Sequence, residues 1–313
     1  MSPEMEGLVI RTQSGFLAVS TDSGEYICRL RGRLKQGETE GDIVAIGDRV
    51  TITPHADGTG TITDVHPRKS VFSRVRTGIK RDFRQIILAN PDQIVAVFAC
   101  AQPEPHLRML DRFLVIAEKQ KIEALIVANK IDLVSREKAG EIFRVYVELG
   151  YPVLYTSAHT AEGVDLLRNA LKDKLSAFAG PSGVGKSSLL NAIQPDLGLH
   201  VRSVSEATSK GRHTTQVREL FPLDVGGYVA DTPGIRSLAL WDTEPEELDA
   251  YFVEMRDLVS ECKFSDCTHT HEPGCAIRGA VEKGEIDLGR YHSYLRLRFE
   301  DERAEFFEDL EAD

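Results

Sequence analysis

Between about residues 7 and 66 the apolar positions recur at short, mostly alternating intervals: Leu17 and Val19, Tyr26, Cys28 and Leu30, Val50 and Ile52, Ile62 and Val65. Turn signals at Asp22-Ser23-Gly24, Gly47-Asp48 and Asp57-Gly58 separate these runs. A period near two, broken by frequent turns, predicts short strands that each bury one face, as in a small closed β-barrel. An OB-fold is the favoured version, although an SH3-like barrel carries nearly the same pattern. From Gln93 the rhythm changes. Residues 94–98 and 124–128 are continuous apolar runs, while 107–120 and 136–149 carry the spacing of amphipathic helices. Strands without alternation, interleaved with helices, predict a parallel sheet covered on both faces. The connector at 67–84 shows no clear element, and no internal repeat is found. No apolar run approaches 18 residues and the first eight residues lack a leader pattern, so a soluble, unexported, cytoplasmic protein without a membrane partner is expected.

Chemistry enters where the α/β grammar meets its loops. Gly180-Pro181-Ser182-Gly183-Val184-Gly185-Lys186-Ser187, continued by Ser188, follows an apolar run at 177–179 and leads into a helical pattern. That strand-loop-helix setting is what a phosphate-binding loop needs. Its glycines let backbone N–H groups wrap phosphates, Lys186 reaches the β and γ oxygens, and Ser187 can hold Mg²⁺. Asn129-Lys130-Ile131-Asp132 ends a predicted strand at 123–128. Asp132 offers acceptors to the two adjacent donors of guanine, and adenine would leave that carboxylate unpaired. Lys130 can lay its stem over the base, and Asn129 can brace the loop. Thr156-Ser157-Ala158 follows a strand at 152–155 and would approach the base with the backbone of Ser157 and Ala158. Asp231-Thr232-Pro233-Gly234 follows a strand at 227–230, so Asp231 can reach Mg²⁺ through water and the Gly234 N–H can sense a γ-phosphate. Between them, Gly211-Arg212-His213-Thr214-Thr215 supplies Thr214 or Thr215 as a second Mg²⁺ hydroxyl. Ile235 stands where a water-orienting glutamine is usual, so slow turnover is expected, with His213 as the candidate replacement.

The order of these motifs is unusual. An ordinary small GTPase begins with the phosphate loop and ends with the two base-reading motifs; here the base-reading motifs come first. The site is threaded from a different start, as in a circular permutation.

Cys262, Cys267, His269 and Cys275 lie within fourteen residues on a turn-rich segment. Three thiolates and an imidazole close a tetrahedral shell, which points to structural Zn²⁺. His271 is the spare donor. Five cysteines in all suit a reducing compartment better than a disulfide scaffold.

The net charge of −11 argues at first against a nucleic-acid partner. Residues 300–313 alone carry −7, however, which leaves −4 for the rest. Arg68, Lys69, Arg74, Arg76, Lys80, Arg81 and Arg84 oppose only Asp82, a local charge of +6, and Arg29, Arg31, Arg33 and Lys35 extend the theme along the barrel. Such a stripe suits an RNA backbone, and a solvated basic linker has the same composition.

Taken together, the reversed motif order, the Gly180 loop, the His213-Thr214-Thr215 segment, Asp231 to Gly234 with an apolar successor, the cluster around Glu272-Pro273-Gly274-Cys275 and the barrel in front resemble the RsgA (YjeQ/YloQ) family. The resemblance spans about residues 7–300. It implies a multidomain α/β protein with an OB-fold RNA-binding domain at 1–68, a permuted P-loop GTPase domain at 69–240 with a basic linker at 68–92, and an α-helical zinc domain with an acidic tail at 241–313. It also implies slow hydrolysis of GTP to GDP and phosphate, stimulated by the 30S subunit during late maturation, with 16S rRNA as a partner, no DNA, and a monomeric state. Gln216 departs from the family, which often carries a third threonine there. Two other classes remain in view: a nucleotide-gated RNA-binding scaffold whose hydrolysis is dispensable, and a metabolic P-loop kinase, which Asp132 disfavours.

Overall fold

The structure is a computed structural model that describes residues 3–13, 15–32, 42–76, 83–199, 218–231 and 244–299, with only the backbone of 73–76, 83–85, 218 and 231. The first five strands, β1 (Met5–Gln13), β2 (Phe16–Thr21), β3 (Gly24–Leu30), β4 (Arg49–Pro54) and β5 (Thr59–Val65), pair in the order β1-β2-β3-β5-β4 and close by a β1–β4 pairing. All neighbours are antiparallel except β3 and β5. That closed Greek-key order is the OB-fold arrangement. Val9, Leu17, Val19, Cys28, Val50, Ile52 and Ile62 fill the barrel, and Tyr26, Leu30 and Val65 pack against them, so the alternating positions in the sequence are those that point inward.

The 67–84 connector contains structure that the hydropathy pattern did not reveal. Val71–Arg76 (β6) and Phe83–Ala89 (β7) form an antiparallel ribbon with an irregularity between Phe72 and Ser73. Phe72 and the run from Ile86 to Ala89 are buried, and Phe72, Ile87 and Leu88 join the main core. The outer halves carry basic residues in place of apolar ones, which erased the periodicity.

Among the described residues, six strands build the central sheet: β8 (Gln93–Ala99), β9 (Glu123–Asn129), β10 (Val153–Thr156), β11 (Leu175–Ala179), β12 (Arg218–Pro222) and β13 (Tyr228–Asp231), in the order β10-β9-β8-β11-β13-β12. All run parallel except β12. Helices α1 (Leu107–Gln120) and α2 (Arg136–Glu148) cover one face, and α3 (Val164–Leu171) and α4 (Lys186–Ile193) the other. β8 is buried throughout: Ile94, Ala96 and Phe98 join the core under α1 and α2, and Val95, Val97 and Ala99 the core under α3 and α4. A strand with two buried faces has no reason to alternate, which is why it reads as a continuous apolar run.

Residues 244–299 form a third unit. A 3-10 segment (Pro245–Tyr251), α5 (Ala276–Glu282) and α6 (Leu288–Arg298) enclose Leu248, Phe252, Met255, Ile277, Ala280, Ile286 and Tyr294, together with Val115 from α1. Two seams tie the units together. β1 pairs with β12 through Arg11↔Glu219 and Thr12↔Arg218, so the barrel continues the central sheet. At the other seam Arg290 of α6 is buried with its guanidinium on Asp111 of α1 (2.6 Å) and on Glu254 (2.6 and 3.0 Å). Its Cζ lies 4.5 Å from the Phe252 ring centroid, and the Tyr146 hydroxyl of α2 donates to Asp111 at 2.8 Å. Among the described residues, no helix is long and apolar enough to cross a membrane.

Candidate nucleotide site and metal centre

In the central sheet the chain moves outward from β8 through β9 to β10, then returns to the other side of β8 with β11. The gap between the departing connections lies at the carboxyl ends of β8, β9 and β11, the place where open α/β sheets bind ligands. The loop 180–185 leaves β11 there and enters α4. Gly180 has φ +140° and a Cβ on it would lie 2.1 Å from the Val97 carbonyl oxygen; Gly185 has φ +96° and a Cβ would lie 2.4 Å from Asn129 Nδ2. Only glycine satisfies both the backbone and the space. Pro181 and Val184 are buried, Ser182 is exposed, and Gly183, Ser187 and Ser188 are half-buried. Lys186 Nζ lies across the loop, donating to the carbonyls of Gly180 (2.8 Å) and Pro181 (2.7 Å). Its ammonium is thereby held at the loop mouth, beside the N-terminus of α4, where a polyphosphate would be drawn.

Asn129 ends β9 and is buried. Its Nδ2 donates to the Val184 carbonyl at 2.7 Å, and its Oδ1 accepts from the Thr156 hydroxyl at 3.2 Å and the Ala158 N–H at 3.4 Å. One side chain therefore joins the phosphate loop, the Asn129-to-Asp132 loop and the Ser157-Ala158 turn. Lys130 adopts a left-handed φ of 64° and donates to the Gln102 carbonyl, and burial lowers its ammonium pKa against the opposing pull of Asp132. Asp132 is exposed, with Oδ1 accepting from the buried Ser157 hydroxyl at 2.6 Å. The carboxylate is aimed by Ser157 and still open to a ligand. Gln102, which no spacing marked, joins the site through its carbonyl.

The backbone of Asp231 ends β13 opposite Phe178 on β11, beside the start of the phosphate loop. His213, Thr214, Thr215 and Gly234 lie outside the described residues. The basic residues of the connector divide. Arg68 is turned inward: Nε and an NH2 group donate to Asp48 at 2.7 Å each, and that NH2 also reaches the carbonyls of Asp42 and Ile43. Asp48 is fully buried, so this guanidinium neutralises an interior carboxylate. Lys69 is exposed. Arg74, Arg76 and Arg84 lie on the paired β6 and β7 backbones, and Lys80 and Arg81 fall outside the described residues.

The cysteine and histidine donors converge in the third unit. The ligand atoms of Cys262, Cys267, His269 and Cys275 all lie within 4.8 Å of one another. Cys262 and Cys275 sulfurs are 4.0 Å apart, and His269 Nδ1 lies 3.6 and 3.3 Å from them. Tetrahedral ligands at about 2.3 Å from a metal sit about 3.8 Å from each other, so the set fits one ion. Burial pushes the Cys267 thiol up to about 12 and raises Cys275; a cation among them supplies the charge that thiolates require. His271 is exposed, its Nδ1 on the Thr270 hydroxyl at 2.8 Å, and takes no part. Glu272 braces the loop by accepting from the N–H groups of Thr268, Thr270 and His271; burial raises its pKa, but these bonds and the Thr268 hydroxyl outweigh that and hold it well below the usual range.

The sequence reading missed Asp249. It is buried, and its Oδ2 lies 3.0 Å from His269 Nε2. With Nε2–H donated to Asp249, Nδ1 is left as the metal-facing atom, and the ring is fixed in orientation. Asp249→Ala is expected to weaken metal affinity by about 10–100-fold, read by competition with a chromogenic chelator. Asp249→Asn, whose amide oxygen still accepts, should lose less. Equal affinity in parent and Asp249→Ala would remove Asp249 from the metal centre.

Comparison with known proteins gives the same picture. Residues 65–241 match the family model described as RsgA GTPase, and residues 6–62 that of the RsgA N-terminal domain. A small ribosomal subunit biogenesis GTPase RsgA from Gemmatimonas aurantiaca is 49% identical over 305 residues, covering 96% of this chain and 98% of that protein. A protein of the same name from Moorella thermoacetica is 46% identical, covering 93% and 95%. Among solved structures, YjeQ from Thermotoga maritima superposes with a TM-score of 0.78 at 38% identity, over 95% of this chain and 98% of that one. YloQ, described as a circularly permuted GTPase, gives 0.73 at 34%, over 95% of each.

Proposed function

The chain belongs to the RsgA family, a GTP hydrolase with a part in ribosome biogenesis, and on that premise we propose that it turns over GTP slowly alone and faster on the small (30S) subunit, whose late maturation it assists. The observation that carries this reading is the Asn129–Val184 hydrogen bond, which joins base-reading and phosphate loops 55 positions apart and reversed in order. The phosphate loop from Gly180 to Ser188 holds the β- and γ-phosphates, Lys186 swinging from its two carbonyls onto them. Asp132 selects guanine, with Lys130 along the base and Ser157 and Ala158 beneath it. Magnesium, held by Ser187, by Thr214 or Thr215 and through water by Asp231, would neutralise phosphate charge. Zinc fits the three-thiolate, one-imidazole set, and a closed shell makes it structural. Lys69, Arg74, Arg76, Lys80, Arg81 and Arg84 meet the 16S rRNA backbone, and Arg68 is spent on Asp48.

The switch segments have direct exits to both flanking units. Residues 200–217 lead into β12, which pairs with β1 of the barrel, and β13 leads through Gly234 toward the metal unit. A γ-phosphate held by Thr214 or Thr215 and by Gly234 would fix both units in one RNA-binding arrangement, and hydrolysis would release it.

Multiple-turnover assays with and without purified small subunits test this. The protein alone should turn over at ~10⁻⁴–10⁻² s⁻¹. His213→Ala should retain GTP and subunit binding while losing about 10²–10³-fold of the stimulated rate. Stimulation equal to the parent's would assign the attacking water to another group. A parent that binds subunits without stimulation would favour the nucleotide-gated scaffold.

A further inference from the structure

Beside the core that the barrel shares with the central sheet, to which Ala18 belongs, the outer side of β1, β2 and β3 carries residues that the barrel interior does not take up. On it, the register sets Arg11 beside Ala18, Ala18 beside Ile27, and Gln13 beside Phe16. Ala18 is the smallest of these and is 3% exposed, so its methyl floors a hollow that larger neighbours wall in. The result is a pocket of about 420 Å³ lined by Arg11, Gln13, Phe16, Ala18 and Ile27. Phe16 and Ile27 are 41% and 39% exposed, which leaves two apolar surfaces facing solvent at the rim. The Arg29 guanidinium lies 4.4 Å from the Phe16 ring centroid.

A ligand for this socket needs apolar faces and a polar edge. Gln13 offers an amide, donor and acceptor together. Arg11 is matched by Glu25 at 3.1 Å and Glu219 at 3.3 Å, so it is a fixed wall and not a free charge. The attraction for anions comes from Arg29 and Arg31, both exposed. An apolar protein side chain would use Phe16 and Ile27 but leave the amide and Arg31 idle. An unpaired base with its flanking phosphates uses all of them, since aromatic platforms bordered by cations are how OB-folds take single-stranded nucleic acid. We propose that this socket takes one unpaired nucleobase of RNA, stacked on Phe16 and Ile27 with its polar edge at Gln13, while Arg29 and Arg31 meet the adjoining phosphates. The proposal rests on the ribosomal reading above and locates one contact within it.

The test uses the full-length protein, a single-stranded RNA of about ten nucleotides carrying 2-aminopurine, and purified small ribosomal subunits. The parent should quench 2-aminopurine on binding. Phe16→Ala should weaken RNA binding roughly 5- to 150-fold, the worth of one base–aromatic stack, and Ala18→Leu should weaken it by filling the floor. Phe16→Trp should preserve binding, and GTP affinity should be unchanged in all three, which separates a lost platform from a lost fold. Parent-like RNA and subunit binding by Phe16→Ala and Ala18→Leu, or 2-aminopurine that stays bright, would overturn the socket and leave the ribosomal reading standing. Loss of subunit binding by the variants without quenching of naked RNA would assign the socket to a protein side chain and overturn the nucleobase. A parent that binds no subunits would overturn the ribosomal reading itself, and the socket's RNA with it.

Discussion

Asp132→Asn is expected to exchange guanine for xanthine as the preferred base, with the ratio of the two affinities moving by about 10³–10⁵-fold. The direction follows from Ser157. Its hydroxyl donates to Asp132 Oδ1 at 2.6 Å and would hold an asparagine's oxygen in that same place, so the new amide nitrogen takes the position of Oδ2. A donor there faces a donor on guanine, whereas on xanthine it faces a carbonyl. The loss is large because two donors set face to face leave both unmatched, which costs more than a bond never made. Competition titrations with GTP and xanthosine triphosphate measure it. A variant that binds GTP as tightly as the parent would take Asp132 out of the base site.

Arg290→Met is expected to cost about 3–5 kcal/mol of stability. Arg290 and Asp111 side chains are 2% exposed and Glu254 6%, so removing the guanidinium strands two carboxylates in the interior. Arg290→Lys should fall between, since one ammonium cannot serve both acids with the planar fork that makes the Glu254 contact bidentate. Combining Arg290→Met with Asp111→Asn and Glu254→Gln should recover much of the loss, because the cost lies in unpaired charge more than in the missing contact. Thermal unfolding together with limited proteolysis near residue 244 reads both the global and the local effect. A single variant as stable as the parent would mean that water or another cation reaches these carboxylates.

Much of this was legible in the chain, and the exceptions have two causes. The barrel strands showed because one face of each is dry; β8 and β9 showed because both faces are. The Gly180 and Asn129 loops showed because their chemistry is local, set by neighbours within eight residues. The ribbon β6–β7 stayed hidden since its outer half trades apolar residues for arginines, and hydropathy sees only what is buried. Asp249 and Asp111 stayed hidden for another reason: their partners are 20 and 179 positions away, and no periodicity spans such a distance. A trace existed even so. Arg290 and Tyr294 lie four residues apart on α6 and are both buried, and a cation on a buried helix face demands an acid from elsewhere in the fold.

β12 is the outermost strand of the central sheet, and β1 lies along its free side through Arg11↔Glu219 and Thr12↔Arg218. An outer strand with bare amide and carbonyl groups is a template for a neighbour's strand. The barrel is thus a guard against self-templating. Any swing that separates it from the sheet opens an aggregation-prone edge, so its travel must either keep this two-pair seam closed or take place where a larger assembly covers what is uncovered.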